Sequence, residues 1–302
     1  MRCLTRWSAV PLIAVLALGG GAPAQAQAIC SAPHSSPTLA GGGSIGTLPR
    51  GTGWVQVSAY AQRSDEFFTG EGDRQRFIAD GRVRTTSLYL TGATGLFRGI
   101  DVWLQAPFHS VHYEDTGGSR SRTGIGDVRM AVRLSPAVAG IENLPLAIRV
   151  GAKVPGGEFP VDATIIPLSE GQRDLEVSIE GGRSFAAVPV YVLGWVGRRW
   201  RATNEEIDRK PGDEVFTHLA LGGRAATFHW EFAAEYLQGN EPRHVGVALS
   251  SGRRRLVQIT PTLGRAMGPG ELELTALVPV AGRNLASGSA LSVGYRIGWG
   301  AP

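Results

Sequence analysis

From Trp54 onward the chain alternates apolar and polar residues in segments of about ten, the length a tilted membrane strand needs. Successive side chains on a strand point to opposite faces. The clearest segment therefore sets Val128, Met130, Val132 and Leu134 against Asp127, Arg129, Ala131 and Arg133. The same pattern puts Leu146, Ile148, Val150, Ala152 and Val154 opposite Ala147, Arg149, Gly151 and Lys153, and Leu175, Val177 and Ile179 opposite Asp174, Glu176, Ser178 and Glu180. Near the end, Leu272, Leu274, Ala276 and Val278 oppose Glu271, Glu273 and Thr275, and Leu291 to Trp299 repeat the alternation. Less regular strands are predicted at 54–62, 82–92, 100–112, 188–200, 213–223, 227–237, 243–250 and 255–263. No segment of helical period competes with them. This makes thirteen strands; bacterial single-chain barrels have even numbers, so the expectation is twelve or fourteen.

Connection lengths separate a membrane barrel from a secreted sandwich. Residues 63–81, 113–123, 155–172 and 201–212 read as long and polar, and 93–99, 135–143, 185–188 and 223–227 as short. The two kinds alternate in chain order, as they do in outer-membrane barrels, with short periplasmic turns and long outer loops. A soluble sandwich has no reason to alternate them. The fold class predicted is all-β, an antiparallel transmembrane outer-membrane β-barrel of about 12–14 strands.

The first residues read as a secretory signal peptide: Arg2 and Arg6 precede the apolar stretch from Ala9 to Leu18, and small residues follow from Ala22 to Ala28. Cleavage is expected after Ala26 or Ala28, each of which closes an Ala-x-Ala triplet. The predicted organisation is 1–28 signal peptide, 29–52 irregular lead-in rich in Gly, Ser and Pro, and 53–302 barrel, placed in the cell outer membrane after cleavage. Cys3 leaves with the signal, so Cys30 is the mature chain's one cysteine and no internal disulfide is expected. No later apolar run is long enough for a spanning helix, which excludes a polytopic helical protein.

Composition agrees. The 42 glycines among 302 residues are about twice the usual ~7% and suit a chain with many turns. Basic residues exceed acidic ones by 30 to 26, but Arg2 and Arg6 account for half of that excess. The charge is thus a poor argument for nucleic-acid binding, and no nucleic-acid partner is expected.

Three stretches come in a suggestive order: Thr123-Gly-Ile-Gly-Asp-Val128, then Ala152-Lys-Val-Pro-Gly-Gly157, then Gly171-Gln-Arg-Asp-Leu175. They resemble the Gly-Leu-Gly-Asp strand start, the Lys-Leu-Pro-Thr-Gly loop start and the Gly-Gln/Thr-x-Asp strand start of the outer-membrane barrel family of meta-pathway phenol-degradation and transporter-like proteins. Leu48-Pro-Arg-Gly51 and Leu104-Gln-Ala-Pro-Phe108 also look like family positions, so the similarity spans most of the mature chain. The chain departs from the family at Pro155-Gly-Gly157, which lacks the Thr, and at Trp299-Gly-Ala-Pro302, which does not end on an aromatic residue. The resemblance implies an outer-membrane channel for hydrophobic or aromatic compounds.

In a membrane barrel the apolar face meets lipid and the polar face lines the lumen. The predicted lumen and selectivity set is Asp127, Arg129, Arg133, Arg149, Lys153, Asp174, Glu176, Glu180, Glu231 and Glu235, with His229, Glu271, Glu273 and Arg296 adding charge elsewhere on the wall. Adjacent strands lie about 4.8 Å apart, so bases on one strand can pair with carboxylates on the next. Such a wall either orders solutes in a water-filled pore or braces a filled barrel. Trp54, Tyr60, Trp103, Phe108, Tyr191, Trp200, Phe228, Tyr236, Tyr295 and Trp299 fall near strand ends, where interfacial girdles sit, and Trp195 and Trp230 fall mid-strand.

Motifs for catalysis lack their context. Gly41-Gly-Gly43-Ser-Ile-Gly46 fits a dinucleotide fingerprint and overlaps a nucleophile-elbow pattern at Gly42-Gly-Ser44-Ile-Gly46, yet no strand precedes it. His109 and His112 fall on opposite faces of a regular strand, which defeats joint metal ligation. His218 or His229 beside Ser178 or Ser184 would be the one route to a hydrolase. The Arg253-Arg-Arg255 run reads as a short periplasmic turn or a lipid-phosphate contact. The expectation is a non-enzyme without cofactor or metal, a passive channel whose partners are outer-membrane lipid and a small solute. The rivals are a plugged, surface-interaction barrel and, behind it, a lipid or ester hydrolase.

Overall fold

The computed structural model describes residues 46–141, 144–156, 168–185 and 187–300. The predicted signal peptide and most of the lead-in, with both candidate glycine motifs up to Ile45, lie outside the described residues. Twelve antiparallel strands close into a barrel. They are β1 (Gly53–Ser64), β2 (Arg82–Phe97), β3 (Ile100–Asp115), β4 in two parts (Gly118–Ile125 and Val128–Leu134), β5 (Leu146–Val154) and β6 (Asp174–Phe185). The second half continues with β7 (Val190–Arg201), β8 (Glu214–Ala225), β9 (Phe228–Gly239), β10 (Arg255–Met267), β11 (Gly270–Arg283) and β12 (Ala290–Trp299). Each strand pairs with its neighbours in sequence, and β12 returns to β1 from Gly53↔Trp299 to Gln62↔Ala290.

The extra strand of the sequence count is 243–250. It yields two short pieces, Arg243–His244 and Val247–Ala248, in a small sheet with Arg209–Lys210 outside the wall. Val245 (φ 49°) and Gly246 (φ 72°) reverse the chain between them, and two residues are too few to cross a bilayer. Segment 113–123, expected as a loop, is almost all strand: β3 and the first part of β4 pair out to Asp115↔Gly118. β4 breaks at Gly126-Asp127. A Cβ on Gly126 would stand 2.3 Å from the His109 ring, so only glycine lets the chain pass there.

The strand ends joined by 65–81, 116–117, 155–173, 202–213, 240–254 and 284–289 lie at one end, the outer end by the rule for such barrels. The turns 98–99, 135–145, 186–189, 226–227 and 268–269 gather at the inner end with the start of β1 and the end of β12. The Arg253–Arg255 run therefore sits at the outer end and is not a short periplasmic turn.

Burial is inverted relative to a soluble protein. Leu88, Leu104, Ile148, Leu219, Leu263 and Leu291 are exposed on the outside, and Gln56, Thr91, Gln105, Thr260, Thr275 and Ser292 are buried inside. An apolar exterior around a polar interior is the distribution of a lipid-facing wall, and it excludes the sandwich alternative. The lumen also holds apolar clusters: Tyr60 and Tyr89 meet edge to face beside Leu277 and Ala290, and Leu193, Ala220 and Ala233 form a row across β7, β8 and β9.

Both mouths are narrowed. At the inner mouth residues 46–52 run irregularly, with Leu48 against Ala93, Trp103 and Ala131 and its N–H donating to Asp101 Oδ2 at 2.7 Å. A Cβ on Gly95 would stand 2.0 Å from the Pro49 carbonyl oxygen; this close backbone approach is why a glycine is required there. At the outer mouth a hairpin (Glu66–Phe68 with Arg74–Arg76) pairs with Leu285–Ala286 and buries Phe68 against Leu237, Leu256 and Leu285.

Candidate functional site: the lumen

Alternation carries the charged side chains inward, and register decides which of them meet. Lys153 on β5 stands opposite Asp174 on β6, and Asp174 opposite Arg201 on β7. Glu176 stands opposite Arg199, and Arg199 opposite Glu214 on β8. The resulting ion pairs are short: Lys153 to Asp174 3.1 Å, Arg199 to Glu176 2.8 Å and to Glu214 2.8 Å, and Arg201 to Glu214 3.3 Å. Buried charges persist only when paired and hydrogen-bonded, and neighbouring strands supply that pairing along the wall.

Glu170 joins this belt from outside the strand pattern. The connection from β5 to β6 dips into the lumen at Ser169 to Gln172, where Ser169 donates to Asp127 Oδ1 at 2.5 Å. Glu170 accepts from Lys153 at 2.6 Å and from Arg201, and faces Arg254 at 3.6 Å. Asn204 Nδ2 donates to its backbone carbonyl at 3.1 Å. Burial works to raise the Glu170 carboxyl, but Arg201, Lys153 and Arg254 outweigh it and hold the group well below the usual carboxylate range.

Two further clusters line the wall. Asp101 on β3 takes both Nε and Nη2 of Arg133 at 2.8 and 2.6 Å, and Glu180 lies 3.4 Å from Arg133 and 3.6 Å from Arg149. The Arg149 guanidinium sits over the Trp103 ring at 4.5 Å. Toward the inner end, Arg296 on β12 lies 3.2 Å from Glu271 and 3.1 Å from Glu273, and His229 lies 3.3 Å from Glu271. Tyr191 OH donates to Glu231 at 2.7 Å and lies 2.8 Å from His229 Nε2. His229, Glu271 and Glu273 group closely enough to suggest a metal site, but Arg296 already supplies the cation that both carboxylates hold.

Between the clusters, His218 lies flat on Trp195, ring centroids 3.6 Å apart, with Nδ1 3.1 Å from Glu235, which also accepts from Gln258. Trp103, Arg129, Arg149, Glu176, Trp195 and Phe216 belong to the lining of a chamber of about 60 Å³, room for a few waters at ~10–15 Å³ each.

All ten residues of the predicted lumen set stand on inward positions. Nine have the polar partners just described; Arg129 lines the chamber between Gln105 and Lys153 in the register. The sequence reading missed Asp101, Glu170, Arg199, Arg201, Glu214 and Arg254. Arg199 and Arg201 were findable, since two bases at i and i+2 share a strand face; Glu170 and Arg254 lie in connections, where no period marks a face. His109 points inward, Nδ1 2.7 Å from Ser87 Oγ, and His112 outward. Among the described residues no serine hydroxyl hydrogen-bonds to His218 or His229.

No protein-family model and no curated protein matches the chain, so its resemblance to the phenol-degradation family rests on the quoted motifs alone. Solved structures do match. An outer membrane channel from Pseudomonas putida F1 overlays with a TM-score of 0.71 at 15% identity, covering 85% of this chain and 99% of that one. The translocator domain of an autotransporter from Neisseria meningitidis gives a TM-score of 0.48 at 9% identity, over 92% and 94% of the two chains. A monoaromatic hydrocarbon channel gives 0.43 at 10% identity, over 84% and 90%. The first likeness establishes the outer-membrane-type barrel fold.

Proposed function

We propose that the chain is a passive outer-membrane channel for a small solute. The observation that carries this reading is the charged lumen itself. Its acids and bases pair side by side along the wall, between strands one or two apart, so the wall's own pairs run round the barrel and not across its axis. What narrows it are inserted segments, 46–52 at the inner mouth and, at the outer, 168–173 and the Glu66–Arg76 hairpin that buries Phe68. Trp103, Trp195 and Phe216, each with one face covered by Arg149, His218 or Arg199, line the chamber with Arg129, Arg149 and Glu176, which supply both signs of charge. That combination suits a small aromatic solute with a polar group. Diffusion down a gradient needs no energy source, and no nucleotide-binding motif stands in a suitable context.

The small chamber favours a second reading, a braced barrel that conducts nothing and works through its outer loops. Single-channel recording of the refolded mature chain in a planar bilayer separates the two. Stable current steps support the channel; a folded, heat-modifiable barrel without current supports the braced barrel.

A further inference from the structure

The outward face at the outer end carries charges that the lumen chemistry does not use. Arg63 on β1 stands directly opposite Arg84 on β2, and Arg84 directly opposite His112 on β3. All three lie on the lipid side by alternation, and both arginines are exposed. Like charges directly opposite on neighbouring strands repel. Glu114, on the same outward face, is already shared between Arg82 at 3.8 Å and His112 at 3.7 Å. Among the described residues, no acidic side chain lies within ion-pair distance of Arg63 or Arg84. A second pair of opposed arginines, Arg255↔Arg283, three strands round the wall, is half-buried beside the hairpin at Gly72, so the exposed pair is the one at Arg63 and Arg84.

The surface below the arginines shows which kind of anion would suit them. The next outward row down the wall is Ala61, Thr86 and Ser110, and the one after it Ala59, Leu88 and Phe108. Two residues along a strand rise about 7 Å. With a strand tilt near 40°, the arginines therefore sit roughly 10 Å above the row where large apolar side chains begin. That is headgroup depth over an acyl-chain wall.

We propose that Arg63 and Arg84 form a binding site for the phosphate of an anionic outer-leaflet lipid, with the acyl chains lying on Leu88 and Phe108. Paired guanidinium groups one strand apart can each offer two parallel N–H donors to the phosphate oxygens, and the anion cancels the repulsion between them. A lipid is favoured over free phosphate because the apolar wall continues directly beneath the cations. The site rests on the reading of the chain as a membrane barrel but not on conduction.

The test is native mass spectrometry of the refolded barrel in detergent with diphosphorylated lipid A, its dephosphorylated form, and inorganic phosphate as competitor. The expected result is that wild type binds the phosphorylated lipid about tenfold or more tightly than the dephosphorylated one, and that Arg63→Gln/Arg84→Gln loses this preference. Equal binding of the two lipids by wild type overturns the proposal, and this comparison does not depend on the variant folding. So does millimolar phosphate that abolishes the preference, which would mark a free-anion site. A heat-modifiable gel shift of wild type and variant reports the barrel separately, so a failed barrel reading is not mistaken for a failed lipid site.

Discussion

Glu170 and Arg254 lie 3.6 Å apart, although one leads into β6 and the other into β10, four strands further round the wall. The pair forms a chord across the outer mouth, in contrast to the wall pairs, which link strands one or two apart. Arg254 also holds Glu214 at 2.6 Å and Arg201 reaches both carboxylates, so the dipped connection is tied to the wall by several charges at once.

Neutralising that tie should open the mouth. Glu170→Gln keeps the shape but removes the charge that Arg201, Lys153 and Arg254 share, and the expected outcome is a higher unit conductance in planar bilayers. Unchanged conductance in a correctly folded variant would show that the connection does not limit flow.

The acid response follows from the depressed Glu170 carboxyl. A group whose folded pKa is lowered contributes stability that is present above its unfolded value, about 4.3, and lost as pH falls through the folded value. Conductance should therefore stay flat between roughly pH 5 and 8 as far as this clasp is concerned, and rise only in strongly acidic solution. A rise already near pH 6 contradicts the clasp.

If the lumen charges set selectivity, Arg149→Ala and Glu176→Ala should shift it in opposite directions, the first toward cations and the second toward anions. Reversal potentials under a salt gradient measure both. Shifts of the same sign would remove these two residues from the solute path.

Asp101 ties β3, β4 and the inner-mouth segment together through Arg133 and the Leu48 N–H. Asp101→Asn takes from Arg133 the carboxylate that accepts from both its Nε and its Nη2, and removing one partner of a buried pair costs about 3–5 kcal/mol. Urea unfolding followed by tryptophan fluorescence should show the loss. Trypsin should also cut faster after Arg50 if residues 46–52 detach.

The exterior gives a depth-dependent prediction. Leu219 is 60% exposed in the middle of β8, and Leu219→Arg should destabilise the barrel in vesicles by about 2–4 kcal/mol. Leu96, near the inner end of β2, should tolerate the same change at ~0–1 kcal/mol. Equal costs at the two sites would contradict the membrane orientation of the wall.

The legible parts of this structure are the ones that period two encodes. Arg129, Arg149, Lys153, Asp174 and Glu176 were placed on one side of their strands by counting alone, because a strand has two faces and the apolar one was obvious. Segment 243–250 misled the count because its composition resembles a strand, whereas its fate was settled by two left-handed residues, Val245 and Gly246. The break at Gly126-Asp127 was invisible for a related reason: it depends on the His109 ring across the interface, a neighbour that no local pattern names.

The alternation along the chain determined the all-β class, the lipid and lumen faces, and most of the charged lining, since each follows from which side of a strand a residue occupies. Tertiary structure alone decided the strand number, the Glu170–Arg254 chord, the insertion of residues 46–52 and the row of Arg63, Arg84 and His112. These depend on register and closure, which bring together residues distant in sequence, and local periodicity carries no information about which distant residue will stand opposite.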